Sequence, residues 1–217
     1  MTNKTRRLTE SAMLLAIAVV LELVSRLVIP PMPFGGQLTL ACMLPVVLIA
    51  YRHGAKWGFV AAFCYSLIQM ALGAGTVTAA FQPGYFGDGA MLGRAVVMCG
   101  LDYVAAYTLL GLGGIFRNRI KKPGVALALG SLVALGCRYA AHVLSGWILF
   151  SGWAEWFFTQ EGFPAWGLVL VERLSPQVLG FVYSLVYNGM YMIPEMILTA
   201  AAAVLVARAP RIVTKIS

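Results

Sequence analysis

Six long apolar stretches, separated by short polar or turn-forming segments, dominate the pattern of this chain. A helix that crosses a membrane needs about 20 predominantly apolar residues. We therefore predict an all-α membrane protein, a single domain of six transmembrane helices. The predicted spans are at about residues 8–29, 38–51, 57–72, 93–116, 125–150 and 181–207. The second stretch is the shortest and contains Pro45, which predicts a kinked or tilted helix.

The composition agrees with this pattern. The chain has 217 residues, of which 60% are hydrophobic and 11% are charged, and its mean hydropathy is +0.83. Soluble domains are considerably more polar. The four cysteines show no CxxC spacing, so we predict neither a metal site nor a disulfide framework.

The basic residues are concentrated in alternate links between the apolar stretches. Twelve of the 16 Lys and Arg residues flank the two ends of the chain or lie between stretches two and three and between four and five. They are Lys4, Arg6, Arg7, Arg52, Lys56, Arg117, Arg119, Lys121, Lys122, Arg208, Arg211 and Lys215. The positive-inside rule then places both termini in the cytoplasm. The net charge of +8 reflects this topology, and we predict no nucleic-acid partner.

The segment 151–180 is predicted to lie outside the cell and is rich in aromatic residues, as in WAEWFF from Trp153 to Phe158. One interpretation is an aromatic belt at the membrane interface with a short amphipathic helix. The other is a lid over a pocket that opens to the outside.

Ionisable side chains inside the predicted spans are the main functional signal, because each costs about 2.5–3.5 kcal/mol to insert. Asp102, His142 and the amide Asn188 belong to three different spans. At 1.5 Å per residue each lies about 10–14 Å below the outer face. We predict that these three side chains meet in a pocket entered from outside.

Helical spacing extends this constellation. One stripe with a spacing of four residues contains Arg138, His142, Gly146 and Phe150, and a second contains Tyr183, Tyr187, Tyr191 and Glu195. Gly146 is expected to leave room for a ring beside the histidine. Such a layer suits a flat, polar, cationic heteroaromatic compound, since aromatic faces attract a desolvated cation by about 2 kcal/mol.

Structural roles for the buried charges also have to be considered. Arg138 could form an intramembrane ion pair with Asp102, and Glu22 could pair with Arg26 four residues later. Glu195 follows a proline, so we expect it to cap backbone freed by a kink rather than to contact a ligand.

Ala12 and Ala16 form a small-xxx-small pair, which lets helix backbones approach closely in lipid or within the bundle. The chain has no GxxxxGK[ST] loop, GxSxG elbow or HExxH helix, so we predict that it is not an enzyme and does not itself hydrolyse ATP. The two halves of the sequence show no obvious repeat, so an inverted-repeat carrier is not favoured.

Four segments carry a family resemblance. GGQLTLACMLPVVLIAYRHG (35–54), LDYVAAYTLLGLGG (101–114), RYAAHVLSGW (138–147) and YSLVYNGMYMIPEMILT (183–199) resemble the thiamine-specific substrate-binding subunit of energy-coupling factor transporters. The resemblance implies a multi-pass subunit of the bacterial plasma membrane that captures thiamine without a cofactor. It also implies two kinds of partner, a transmembrane coupling subunit that contacts Ala12 and Ala16 and two cytoplasmic ATPase subunits.

The resemblance further implies which residues bind thiamine, with Asp102 on the aminopyrimidine. The full set is Asp102, Tyr103, Arg138, His142, Gly146, Phe150, Tyr183 and Asn188. Two features depart from the family. Phe150 stands where a tryptophan is expected, with Trp147 and Trp153 as possible substitutes, and the segment 151–180 is longer.

Two other functions stay open at this point. The chain could be a related subunit for another vitamin or for a thiamine precursor. Alternatively, it could be a proton-coupled secondary carrier in which Asp102, Arg138 and His142 form a relay.

Overall fold

The computed structural model describes residues 3–32, 36–87 and 91–214, and within these ranges the chain forms helices and no β-strand. The helices are α1 (Asn3–Val28), α2 (Leu44–His53), α3 (Ala55–Leu72), α4 (Ala74–Ala80), α5 (Met91–Gly114), α6 (Pro123–Phe150), α7 (Ala154–Phe158), α8 (Trp166–Arg173) and α9 (Pro176–Val206). Five helical stretches are long and apolar enough to cross a membrane, namely α1, α3, α5, α6 with its continuation to Phe158, and α9. The predicted all-α membrane class is therefore confirmed.

The second apolar stretch folds differently from the prediction. Only Leu44–His53 is helical, and residues 37–43 ahead of it are irregular. Pro45 lies in the first turn of α2, where a proline needs no N–H partner, so it starts the helix and does not kink it. Ala41 has a φ of 53°, a left-handed conformation that turns the chain into α2.

α2 is the centre of the bundle. All of its residues are buried, including Arg52 and His53 at its end, as expected for a helix that is apolar on every side. The main core surrounds it with inward-facing residues of α1, α3, α5, α6 and α9. Close helix crossings complete this core: a Cβ on Gly130 of α6 would overlap the backbone of Gly113 in α5.

The predicted external segment 151–180 contains two short helices, and α9 begins at Pro176, ahead of the predicted position 181. In α7, Phe157 and Phe158 are buried in a cluster with Leu179 and Tyr183 of α9. The tryptophans of this segment are about half exposed: Trp153, Trp156 and Trp166.

A buried arginine joins four parts of the chain at one end of the bundle. The Arg52 guanidinium forms an ion pair with Glu10 of α1 (2.8 Å) and donates hydrogen bonds to the carbonyl oxygens of Arg211 (2.9 Å) and Ile212. Arg117, from the link after α5, donates to the Arg52 carbonyl at 3.2 Å. The four segments that carry the predicted cytoplasmic basic residues therefore meet at the same end, although Lys215 lies outside the described residues.

Replacing Arg52 should destabilise this junction. Arg52→Ala removes the donor to two carbonyl oxygens and to Glu10 Oε2, whose other oxygen keeps its ion pair with Arg6. We expect the free energy of unfolding to fall by about 1–3 kcal/mol. Thermal unfolding of the purified protein in detergent measures the change. Lys56→Ala removes the same charge from an exposed position nearby and should have little effect. Equal stability of the two variants would contradict the proposed role of Arg52.

Candidate functional site

A cavity of about 410 Å³ opens among α1, the connector 36–43, α5, α6 and α9. This volume falls in the range of small-molecule sites, about 300–1,000 Å³. All eight residues of the predicted site line it: Asp102, Tyr103, Arg138, His142, Gly146, Phe150, Tyr183 and Asn188. The cavity thus brings together side chains from three helices that are distant in sequence.

The predicted polar layer is joined by direct hydrogen bonds. His142 Nδ1 lies 2.9 Å from Asp102 Oδ1, and the Ser145 hydroxyl donates to Asp102 Oδ2 at 2.7 Å. Asn188 Nδ2 donates to the His142 carbonyl oxygen at 3.3 Å, and Asn188 Oδ1 accepts from the Tyr191 hydroxyl at 2.5 Å. With Asp102 ionised, the His142 proton is held on Nδ1. Nε2 has no hydrogen-bond partner among the residues described.

The backbone of α5 leaves α-helical geometry where it carries the site. Cys99–Ala105 is a π-helix inside this span. Met98, Asp102, Tyr103 and Tyr107 all line the cavity. On an α-helix, at 3.6 residues per turn, Met98 and Tyr107 would point to opposite sides. The wider π turn gathers positions i, i+4, i+5 and i+9 on one face, which is a common device at functional sites.

Arg138 is held by a tyrosine of α5. Its Nη2 donates to the Tyr107 hydroxyl at 3.1 Å, and its Cζ lies 4.5 Å from the centroid of the Tyr107 ring. Asp102 instead bonds to His142 and Ser145. The alternative prediction of an ion pair between Arg138 and Asp102 is therefore wrong.

Gly146 has a different physical role from the one predicted. A Cβ at this position would overlap the Ser184 hydroxyl and lie 3.3 Å from Asn188 Nδ2. The missing side chain therefore lets α6 and α9 approach closely. It does not create the ring-sized space beside His142 that we expected, although Gly146 itself borders the cavity.

Aromatic residues form much of the cavity wall. Phe150 lines it and packs against Tyr85 (centroids 6.2 Å apart), a residue of the loop after α4 that the sequence analysis missed. Trp147 contacts Phe181 instead, and Trp153 contacts Trp156. Neither tryptophan is among the lining residues, so the prediction that one of them replaces the family's tryptophan at position 150 is wrong. The sequence carried one signal for Tyr85, because it lies in the turn-forming segment PGYFG.

Two further carboxylates border the cavity. The predicted pair is confirmed: Glu22 accepts from Arg26 Nη2 at 2.5 Å, and it also accepts hydrogen bonds from Tyr65 and Gln69. Glu195 Oε2 accepts from the Thr39 backbone N–H at 2.9 Å and from its hydroxyl at 2.6 Å. Glu195 therefore anchors the connector and does not cap the backbone near Pro194 as expected.

Sequence comparison agrees with this geometry. The family described as Thiamine transporter protein matches residues 8–214. The chain belongs to this family. The thiamine transporter ThiT of Bacillus subtilis (strain 168) is 31% identical over 216 residues, which cover 95% of this chain and 93% of that protein.

A solved structure supports the fold. ThiT from Listeria monocytogenes superposes with a TM-score of 0.61 at 17% sequence identity, covering 98% of this chain and 100% of the other. This comparison concerns the fold alone. Family membership confirms the resemblance noted from the sequence, and the family consists of transporters and not of enzymes. With its long apolar helices, the chain is a multi-pass protein of the bacterial plasma membrane.

Filling the space at Gly146 should separate α6 from α9. For Gly146→Ala we expect the free energy of unfolding to fall by about 1–3 kcal/mol, the usual effect of overpacking, in thermal unfolding experiments in detergent. Gly136→Ala on the same helix is the matched control, since its Cβ would have Met196 Cε at 3.8 Å, an ordinary contact. A Gly146→Ala protein as stable as the control would show that this helix approach is not tight.

Proposed function

We propose that this chain is the substrate-binding subunit of an energy-coupling factor transporter and that it binds thiamine from outside the cell. The observation that carries the proposal is the hydrogen-bonded set of Asp102, His142 and Asn188 in the cavity of a thiamine transporter family member. Thiamine has a cationic thiazolium ring and a polar aminopyrimidine ring. Carboxylate, imidazole, amide and aromatic groups in one cavity complement both rings.

Each proposed binding residue has a chemical task. Asp102 accepts from the aminopyrimidine, with His142 and Ser145 fixing its orientation. Tyr103, Phe150 and Tyr183 supply aromatic surface. The other polar side chains of the site are those of His142, Asn188 and Arg138. Gly146 lets α6 and α9 lie close together.

The chain is proposed to cross the membrane six times as one domain. α2 is about 15 Å long, so it needs the irregular residues 37–43 to complete a pass. An even number of passes is supported by the junction at Arg52, because α1 and the C-terminal segment meet at the same end. The basic residues at that end favour a cytoplasmic location for both termini.

We further propose that energy comes from partner subunits, a transmembrane coupling protein and two cytoplasmic ATPases. Ala12 and Ala16 are both exposed, so they do not pack inside the bundle. α1 is the least buried of the five long apolar stretches, because only 22% of its most apolar part is buried. Small exposed residues on such a helix permit close docking of another helix.

The segment 151–180 is proposed to lie at the outer membrane interface. Its half-exposed tryptophans suit the boundary between lipid and water, and its buried phenylalanines fix it to α9.

The binding proposal can be tested by calorimetry with purified protein. Asp102→Asn keeps the shape and removes the charge, so we expect thiamine affinity to fall by about 1–3 kcal/mol through loss of a charge-assisted hydrogen bond. Glu155→Gln, the same kind of change on exposed α7, should bind normally. The proposal fails if the wild-type protein does not bind thiamine at micromolar concentration and binds another vitamin instead.

The docking proposal needs a transport assay. Ala12→Trp should bind thiamine with unchanged affinity and abolish ATP-driven uptake in cells that contain the partner subunits, because the indole blocks a close helix approach. Ala201→Trp, at an exposed alanine of α9, is the control and should transport. Normal uptake by Ala12→Trp would argue against this surface, and uptake that needs only a proton gradient would argue for a carrier.

A further inference from the structure

We propose that a groove between α1 and the C-terminal segment binds an anionic phospholipid of the cytoplasmic leaflet, an inference that needs the proposed orientation of the chain but not the proposed ligand. The groove has a volume of about 210 Å³ and shares no lining residue with the cavity around Asp102. The residues that line it are Glu10, Met13, Leu14, Ile17, Leu48, Arg52 and Ile212.

The groove runs along one face of α1. Its four α1 residues, from Glu10 to Ile17, have the i, i+3, i+4, i+7 spacing of a single helix face. At 1.5 Å per residue they extend over about 10 Å of the helix axis. Glu10 and Arg52 form an ion pair at one end, and the rest of the lining is apolar. One charged end and an apolar length parallel to a membrane helix match the shape of a phospholipid.

The charged end of the groove has an excess of positive charge. Both oxygens of Glu10 already contact guanidinium groups, Oε1 that of Arg6 (3.0 Å) and Oε2 that of Arg52 (2.8 Å). Arg211 is exposed and directly precedes Ile212, which lines the groove. Three guanidinium groups therefore lie around one carboxylate. Basic pockets between helices at the cytoplasmic face are known to bind anionic lipid headgroups.

The groove is distinct from the surface proposed for the coupling subunit. At 3.6 residues per turn, the centre of the pair Ala12 and Ala16 lies about 130° around α1 from the centre of the groove-lining stripe. The shape of the groove also favours a lipid. A volume of about 210 Å³ spread over about 10 Å gives a cross-section of about 20 Å², which accepts one hydrocarbon chain but not a helix of about 10 Å diameter.

Native mass spectrometry of the purified full-length protein in detergent tests this lipid site. Two lipids with the same acyl chains are compared: phosphatidylglycerol, which is anionic, and phosphatidylcholine, which has no net charge. We expect the wild-type protein to bind phosphatidylglycerol at least about fivefold more tightly, because the headgroup end of the groove is positively charged.

Two variants separate the headgroup from the acyl chain. For Arg211→Gln we expect the affinity for phosphatidylglycerol to fall about fivefold, which corresponds to about 1 kcal/mol for one basic residue, with little change for phosphatidylcholine. Ile17→Trp fills the apolar part of the groove. It should weaken both lipids about threefold, roughly the loss of one buried CH₂ group, and keep the preference between them.

Each variant has a matched control at an exposed position outside the groove. Arg119→Gln removes the same charge from the link after α5, and Ile197→Trp adds the same bulk to the surface of α9. Both controls should bind the two lipids as the wild-type protein does. If Ile17→Trp fails to fold, as judged by thermal unfolding, Met13→Trp fills the same groove and the same result is required of it.

Four results would overturn the lipid site. Equal affinity of the wild-type protein for both lipids is one, and an equal loss in Arg211→Gln and Arg119→Gln is another, because the attraction would then be general to the basic end. Binding of glycerol 3-phosphate as tight as that of phosphatidylglycerol would indicate a site for free phosphate. Normal lipid binding by Ile17→Trp, with loss of copurification with the coupling subunit, would assign the groove to that protein. None of these measurements uses thiamine, so failure of the proposed ligand would be seen separately.

Discussion

The hydrogen bond between Asp102 and His142 joins α5 to α6 at the depth of the membrane, and much of the structure depends on it. Neither group is tolerated alone in hydrocarbon, so both must face the interior of the bundle. Ser145 and Asn188 extend the bond to a network that includes α9. Because this network is buried, its hydrogen bonds fix how the three helices lie relative to one another around the cavity.

Local backbone features make this arrangement possible. The π-helix Cys99–Ala105 turns neighbouring residues of α5 toward the cavity, and Gly146 lets α9 approach α6 until Asn188 reaches the His142 carbonyl. At the opposite end of the bundle Arg52 ties α1, α2 and the C-terminal segment together. The protein thus has a polar cavity near one end and a basic junction at the other, as the charge pattern of the sequence suggested.

The sequence predicted those parts of the site that follow from helical periodicity. His142 and Gly146 share one face of α6 and Tyr183 and Tyr187 one face of α9, since a spacing of four residues fixes that in any straight helix. Features that depend on distant partners were missed. The contact of Glu195 with Thr39 joins residues 156 positions apart, and the π turn has no simple sequence signature. Pro45 was misread because a proline can start a helix as readily as bend one.

Thiamine is proposed to bind in the cavity built on the Asp102–His142 hydrogen bond. A structure of the protein crystallised with thiamine tests it most directly. We predict density for both rings inside this cavity, with the aminopyrimidine within hydrogen-bond distance of Asp102 and Asn188 nearby. Density for thiamine at another place, or a cavity in which Asp102 and His142 have separated and face lipid, would contradict the account.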